Sequence, residues 1–204
     1  DWSSQFDPDT TEAERFWEAH GVHGGPGQFV ACYPGVLSRR LDLRTLIDAA
    51  RLLKQQGRDD FKLVICGKGD QEDELRAQSA DLDNVMLPGF VAYPVLKALM
   101  SRCSVGLVPY PSHFDFVRNL PNKFFEYLAE GLPIVSCLEG EVKRYIIDYD
   151  CGVMYKLGDP QDLVRALRSL LDDPTRRAVM SLNARALAPS FDAAHIYDEL
   201  GAHL

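Results

Sequence analysis

The segment Leu120-Pro121-Asn122-Lys123-Phe124-Phe125-Glu126-Tyr127-Leu128-Ala129-Glu130-Gly131 concentrates the residues most able to do chemistry. Pro121 suits a first helical turn, so the run reads as a helix over 121–130 stopped by Gly131. In that frame Lys123 lies near the positive end of the helix dipole, where a cation is disfavoured by ~0.3–1 kcal/mol. An anion held jointly by Lys123 and the free backbone N–H groups of the first turn makes sense of this charge. The same spacing also permits a solvated stripe of Lys123, Glu126 and Glu130, with Lys123 and Glu126 paired as an i,i+3 salt bridge, opposite Phe124, Phe125 and Leu128. Residue types alone leave both arrangements open.

Basic residues recur in other loops. Ser38-Arg39-Arg40 follows the first apolar run, Gly67-Lys68-Gly69-Asp70 follows the second, and Arg118 precedes Pro121. Ligands of open α/β sheets bind beyond the carboxyl ends of the strands, so these loops suggest an anionic ligand such as a diphosphate. Gly67-Lys68-Gly69 is not a dinucleotide fingerprint, because Glu72 stands at the third glycine position and the turn follows the second strand. It reads as a tight strand-to-helix turn, which excludes a nicotinamide or flavin site. His113 reads as an ordinary loop histidine, and no Ser, His and acid arrangement is recognisable. The five cysteines, at 32, 66, 103, 137 and 151, form no CxxC pair and read as buried, reduced thiols.

The elements that must position these residues follow a rhythm. Apolar runs at Phe29 to Tyr33, Phe61 to Cys66, Val85 to Leu87, Val105 to Val108, Ile134 to Cys137 and Val153 to Tyr155 read as strands. Helical periodicity falls between them: Leu43 to Leu53 with Asp42 as N-cap and Gly57 as stop, Glu72 to Ala80, Val95 to Met100, 121–130 and Glu141 to Asp148. Asp159-Pro160 starts a helix to Leu171, and two more helices follow over roughly 175–187 and 192–203. Pro109 to Leu120 reads as loop. Residues 1–27 read as a lead-in or interdomain linker, with a short helix over Glu12 to His20, and 28–204 as one domain. Short apolar strands alternating with helices predict an α/β, doubly wound, Rossmann-like parallel sheet of about six strands.

The chain has 204 residues, 46% hydrophobic and 25% charged, an ordinary globular mix that excludes a disordered tail, a collagen-like repeat or a disulfide scaffold. Its net charge of −8 makes it a poor partner for nucleic acid or an anionic membrane, so an anion requires a local cationic site. No apolar run approaches the ~20 residues of a membrane span, and nothing at the start reads as a secretory leader. The expectation is a cytoplasmic protein. The first residue is Asp1, not Met, which suggests a processed chain or a piece of a longer one.

Leu120 to Gly131, continued by Pro133-Ile134-Val135-Ser136, resembles the donor-binding motif of glycosyltransferase family 4 and its relatives. Tyr33-Pro34-Gly35-Val36-Leu37-Ser38 resembles the family's first glycine loop, and Val64-Ile65-Cys66-Gly67-Lys68-Gly69 its second. Val85 to Val91, with Pro88-Gly89-Phe90, resembles its base-binding region, and Gly152 with Gly158-Asp159-Pro160 its C-terminal run. The resemblance covers residues 28–200 and implies the C-terminal half of a GT-B fold. Its implied function is the donor-binding domain of a retaining enzyme, transferring a sugar from a nucleotide-diphosphate sugar to an acceptor.

By that resemblance Lys123 and Glu126 are the catalytic pair: Lys123 meets the leaving diphosphate and Glu126 accepts from the ribose hydroxyls. Gly35, Arg39, Arg40, Gly67, Phe90, Val91, Arg118 and Asn122 bind the substrate. The family's first motif glutamate falls on Arg118, and its diphosphate-binding Arg and Lys fall on Val36 and Leu41; Arg39, Arg40 and Lys123 then carry the phosphate charge instead. Neither a cofactor nor an obligatory metal is implied. The absent N-terminal half would bind the acceptor, so this chain alone would be an incomplete, inactive half. Asp1 to Phe6 would be the exit of the interdomain linker, and any peripheral membrane association would come through the absent half. A non-catalytic nucleotide-sugar-binding module or partner subunit, or a sugar-nucleotide epimerase fragment, are the alternatives.

Overall fold

The computed structural model describes residues 10–112 and 114–191. His113, Asp1 to Phe6 and the helix expected over 192–203 lie outside the described residues. The six strands form one sheet in the order β3-β2-β1-β4-β5-β6, with helices in the connections, which is the expected doubly wound α/β class. The chain divides into two compact units at the start of β4, between Val105 and Gly106.

Unit 1 comprises α1 (Thr10–Ala19), β1 (Phe29–Pro34), α2 (Leu43–Gln55), β2 (Phe61–Cys66), α3 (Glu72–Gln78), β3 (Val85–Gly89) and α4 (Tyr93–Met100). All six residues of β1 are buried, as are all but Lys62 in β2. Such runs suit a parallel sheet covered on both faces. β1 and β2 pair parallel in register from Phe29↔Phe61 to Pro34↔Cys66, while β2 and β3 shift register between Val64 and Cys66, bringing Gly89 opposite Cys66. α2 buries Leu43, Leu46, Ile47, Ala50 and Leu53 at helical spacing. Asp42 holds its N-cap position, but its carboxylate accepts from the Thr45 hydroxyl at 2.7 Å, not from a first-turn backbone N–H. The helix ends as expected at Gly57, whose φ of +74° is left-handed. The N–H groups of Gly57 and Arg58 return to the carbonyls of Lys54 and Leu53, closing a Schellman turn. In α1, Trp17 is fully buried and its indole N–H donates to the Val95 carbonyl of α4 at 2.7 Å.

Unit 2 comprises most of β4 (Val105–Val108), α5 (Phe114–Val117), α6 (Asn122–Glu130), β5 (Ile134–Ser136), α7 (Glu141–Asp148), β6 (Gly152–Met154), α8 (Pro160–Leu171) and α9 (Pro174–Leu187), followed by a 3-10 turn at Ala188–Phe191. β5 pairs parallel with β4 and with β6. The expected loop at 109–120 contains the short helix α5. α8 starts as expected, with the Asp159 carboxylate accepting from the Asp162 N–H at 3.0 Å; Asp173 caps α9 in the same way through Arg176. α6 lies on β4 through Tyr127, fully buried, whose hydroxyl donates to the Leu107 carbonyl at 3.1 Å. A Cβ at Gly106 would overlap the Tyr127 ring, so the glycine lets the aromatic lie flat on the strand.

Candidate functional site

In unit 1 the loops leaving β1, β2 and β3 are laced together by backbone. Gly35 N–H donates to Cys66 O, Gly67 N–H to Gly89 O, both at 2.8 Å, and Leu37 N–H to Lys68 O at 2.9 Å. Gly67 has φ +139°, and a Cβ there would overlap the Gly35 carbonyl; one at Gly69 would overlap the Leu37 carbonyl. The glycines of the second loop therefore serve close backbone approach, as a tight turn requires. This lacing brings Gly35, Gly67 and the start of the Phe90-Val91 segment to one edge, and leaves large side chains outward. Phe90 is 73% exposed and Tyr93, at the start of α4, 68% exposed. Val36 is exposed too, while Val91 is half-buried.

The two arginines of the first loop are exposed, yet Arg39 is not simply open. Its backbone N–H donates to Asp70 Oδ1 at 3.1 Å, and its guanidinium lies 4.0 Å from Glu74, which Arg44 also engages at 2.9 Å. Lys68 is exposed and pairs with no carboxylate among the described residues. In the sequence Lys68 counts among the basic loop residues that suggest an anion; Tyr93 is not singled out there.

Unit 2 places Asn122, Lys123 and Glu126 on α6. The helix begins one residue later than expected: Pro121 is its N-cap, extended at φ −67° and ψ 149°, and makes no side-chain capping bond. Phe124 N–H closes on the Pro121 carbonyl at 2.8 Å, and the first turn contains no acidic residue. Phe124, Tyr127 and Leu128 face inward, Lys123 is half-buried, and Asn122 and Glu126 are exposed. Among the described residues the Glu126 carboxylate meets no cation, so the Lys123–Glu126 pair of the stripe arrangement is not formed. Arg118 is exposed in the segment between α5 and α6. The carbonyl just before it, of Val117, sits where a Cβ of Gly140 would stand, and Ser112 Oγ accepts from the Glu139 N–H at 3.1 Å. The loop after β5 thus braces the segment carrying Arg118.

Three of the five thiols are held protonated. Burial pushes the Cys66 thiol well up, burial and the adjoining Cys32 thiol do the same for Cys103, and burial raises Cys151 to about 11. All three stay protonated at neutral pH. Among the described residues no group of three or more His, Cys, Asp or Glu is placed to hold a metal, and no helix is long and apolar enough to cross a membrane.

A parallel sheet with helices in its connections defines the Rossmann-like α/β class. The chain belongs to the family described as Glycosyl transferases group 1, whose model it matches over residues 16–187. It is similar to the amylovoran biosynthesis glycosyltransferase AmsK of Erwinia amylovora, 31% identical over 74% of this chain and 38% of that protein. In fold it is similar to the Anabaena protein Alr3699/HepE, solved in complex with UDP-glucose, with a TM-score of 0.71 at 22% identity over 96% of this chain and 53% of that one. It is also similar to the C-terminal domain of a glycosyl transferase group 1 family protein, LpcC of Francisella tularensis, with a TM-score of 0.69 at 16% identity over 88% of this chain and 92% of that one. The chain spans about half, or less, of the length of the curated relatives it matches.

Proposed function

We propose that this chain is the donor-binding domain of a retaining glycosyltransferase that uses a nucleotide-diphosphate sugar. The observation that carries the reading is α6: its first turn holds Lys123 and no carboxylate, while Glu126 lies exposed and, among the described residues, meets no cation. A diphosphate fits the first feature, because helix N–H groups and a lysine together stabilise negative charge. Ribose hydroxyls fit the second, because an ionised carboxylate only accepts hydrogen bonds. As the glycosyl bond breaks, charge builds on the leaving diphosphate, and Lys123 with the α6 N-terminus stabilises it without an obligatory metal. Within unit 1, Phe90 and Val91 serve the base and Arg39 and Arg40 supply positive charge; within unit 2, Asn122 and Arg118 flank the first turn of α6. The acceptor is bound by a further domain, so these residues alone do not transfer sugar to an acceptor. Arg118, standing where the resemblance implies a sugar-binding glutamate, favours a second reading, a nucleotide-sugar-binding module without catalysis.

The experiment is calorimetric titration with UDP, GDP and ADP and with their nucleosides. The expected result is that at least one diphosphate binds and its nucleoside binds more weakly. Failure of all three diphosphates to bind overturns the donor-domain reading. Adding the donor sugar and a candidate acceptor domain then separates the two readings, since only the enzyme yields a glycoside.

A further inference from the structure

The charges of α6 oppose its own dipole at both ends, with Lys123 in the first turn and Glu130 in the last, where no basic residue stands. The C-terminal end is corrected from another helix. Arg185 of α9 donates from its guanidinium to the Glu130 carbonyl at 3.1 Å, and Ser181 of α9 donates from its hydroxyl to the Gly131 carbonyl at 2.6 Å. Gly131 is left-handed at φ +68°, and the Arg185 stem crosses the space a Cβ there would occupy. The Tyr127 and Leu128 carbonyls close on the Leu132 and Gly131 N–H groups, and those of Glu130 and Gly131 are taken by side chains of α9.

The same element returns to the other half of α6. Phe191, last residue of the 3-10 turn after α9, sets its ring against Phe125 at 5.1 Å between centroids and against Phe124 at 6.0 Å, both edge to face. Tyr145 of α7 completes the cluster, 5.2 Å from Phe191 and 5.7 Å from Phe124. Phe124 and Phe125 directly follow Lys123 in the chain and directly precede Glu126. α9 itself is anchored, since Arg177 donates to the Leu170 carbonyl of α8 at 2.8 Å.

We propose that α9 and its 3-10 turn form a brace that sets the rotation and depth of α6, with Phe191 as the positioning residue for Lys123 and Glu126. This rests on the donor-domain reading for its purpose, but not for its mechanics. Ring contacts at Phe124 and Phe125 fix how the helix is turned about its axis, and the Arg185 and Ser181 bonds fix it lengthwise. Misplacing a binding group by about 1 Å costs up to a hundredfold in function, so a helix carrying both binding groups needs such a brace.

The test pairs hydrogen exchange with affinity. In the unliganded chain, Phe191→Ala raises exchange at the hydrogen-bonded amides of Glu126 to Leu128 by at least about tenfold and leaves those of β5 and α8 unchanged. Phe191→Tyr, which keeps the ring, restores the parental rates. Equal exchange in parent and Phe191→Ala overturns the brace whether or not any nucleotide binds. So does faster exchange throughout unit 2, which marks general destabilisation. With UDP, Phe191→Ala weakens binding about tenfold in the parent and by clearly less on top of Lys123→Ala, the remainder being the share carried by Glu126, because the two substitutions act in part on one contact. Additive losses overturn positioning through Lys123. No effect of Lys123→Ala itself, with the exchange result intact, leaves the brace standing and removes the phosphate role.

Discussion

A lysine at the second position of a helix whose first turn lacks any carboxylate sits in an unfavourable field of ~0.3–1 kcal/mol. Lys123 also has an interaction of its own within the chain, which offsets part of that field, so Lys123→Ala is expected to change the melting temperature of the empty domain only slightly. The same substitution is expected to weaken diphosphate binding by ~1.5–3 kcal/mol, the range of a charge-assisted hydrogen bond, while nucleoside binding stays as it was. Melts with and without UDP and uridine measure both; a lower melting temperature with undiminished ligand shift sinks the phosphate role. Glu126 is judged by the sugar ring. Removing both hydroxyls as a 2′,3′-dideoxy diphosphate should cost ~1–3 kcal/mol in the parent and nothing in Glu126→Ala, and equal affinities in the parent would leave Glu126 with no ribose to hold. Glycines give a cleaner contrast still. Gly67 and Gly25 both have positive φ, but a Cβ at Gly25 meets nothing within 4 Å, whereas one at Gly67 overlaps the Gly35 carbonyl. Gly25→Ala should cost about 1–2 kcal/mol, from left-handed backbone alone, and Gly67→Ala roughly 4 kcal/mol or more, because backbone on both sides must move. Similar urea midpoints for the two would show that the loops of β1 and β2 are not locked together.

At the scale of elements, what could be read locally was read, and what depends on distant partners was not. The strand runs were visible because both faces of a parallel sheet are covered, so apolar residues stand consecutively. β3 was expected to stop at Leu87 but runs through Pro88 to Gly89; a proline lacks a ladder donor, yet β3 is an edge strand and tolerates it. α5 escaped notice because four residues carry too little periodicity to stand out from a loop. Of the candidate site, α6 was legible from its own twelve-residue motif, but its residue types left an anion-facing lysine and a salt-bridge stripe both open. The structure lacks the Lys123–Glu126 pair among the described residues, which removes that part of the stripe. The pairing of Arg39 with Glu74 across thirty-five positions was not legible, because an ion pair between loop and helix leaves no local pattern. The burial of Trp17 against α4 is of the same kind: the residue type announces an anchor, but only the tertiary fold supplies the Val95 carbonyl that its N–H needs.

For the molecule as a whole, net charge −8 and buried thiols set the response to pH from opposite sides. On the acid side, Asp81 is held below the usual carboxylate range first by its hydrogen bond from Arg51, and Asp83 first by that from Lys54. Depressed carboxylates stabilise above their unfolded value near 3.9 and lose this as pH falls through the folded value, so the acid limb begins below about pH 4. Both groups are fully exposed, and that contribution is screened by salt. The alkaline limb belongs to the core. Cys151 is buried in unit 2, with its S–H 3.6 Å from the Tyr145 carbonyl, and burial raises its thiol to about 11. The unfolded chain releases that proton near pH 8.5–9. Between those values the native state holds more protons than the unfolded one, so stability is complete below about pH 9 and falls as pH rises towards 11. The slope from one such thiol is about 1.4 kcal/mol per pH unit at its steepest, and Cys66 and Cys103, also raised, add to it. Cys151→Ala is destabilised at neutral pH by its small cavity, but its decline from pH 9 to 10.5 should be shallower than the parent's. Urea midpoints at pH 7.5, 9, 9.75 and 10.5, with a reductant present throughout, give both slopes. Parallel declines would mean that Cys151 ionises as readily folded as unfolded, and the alkaline limb would then have to come from lysine and tyrosine titration instead.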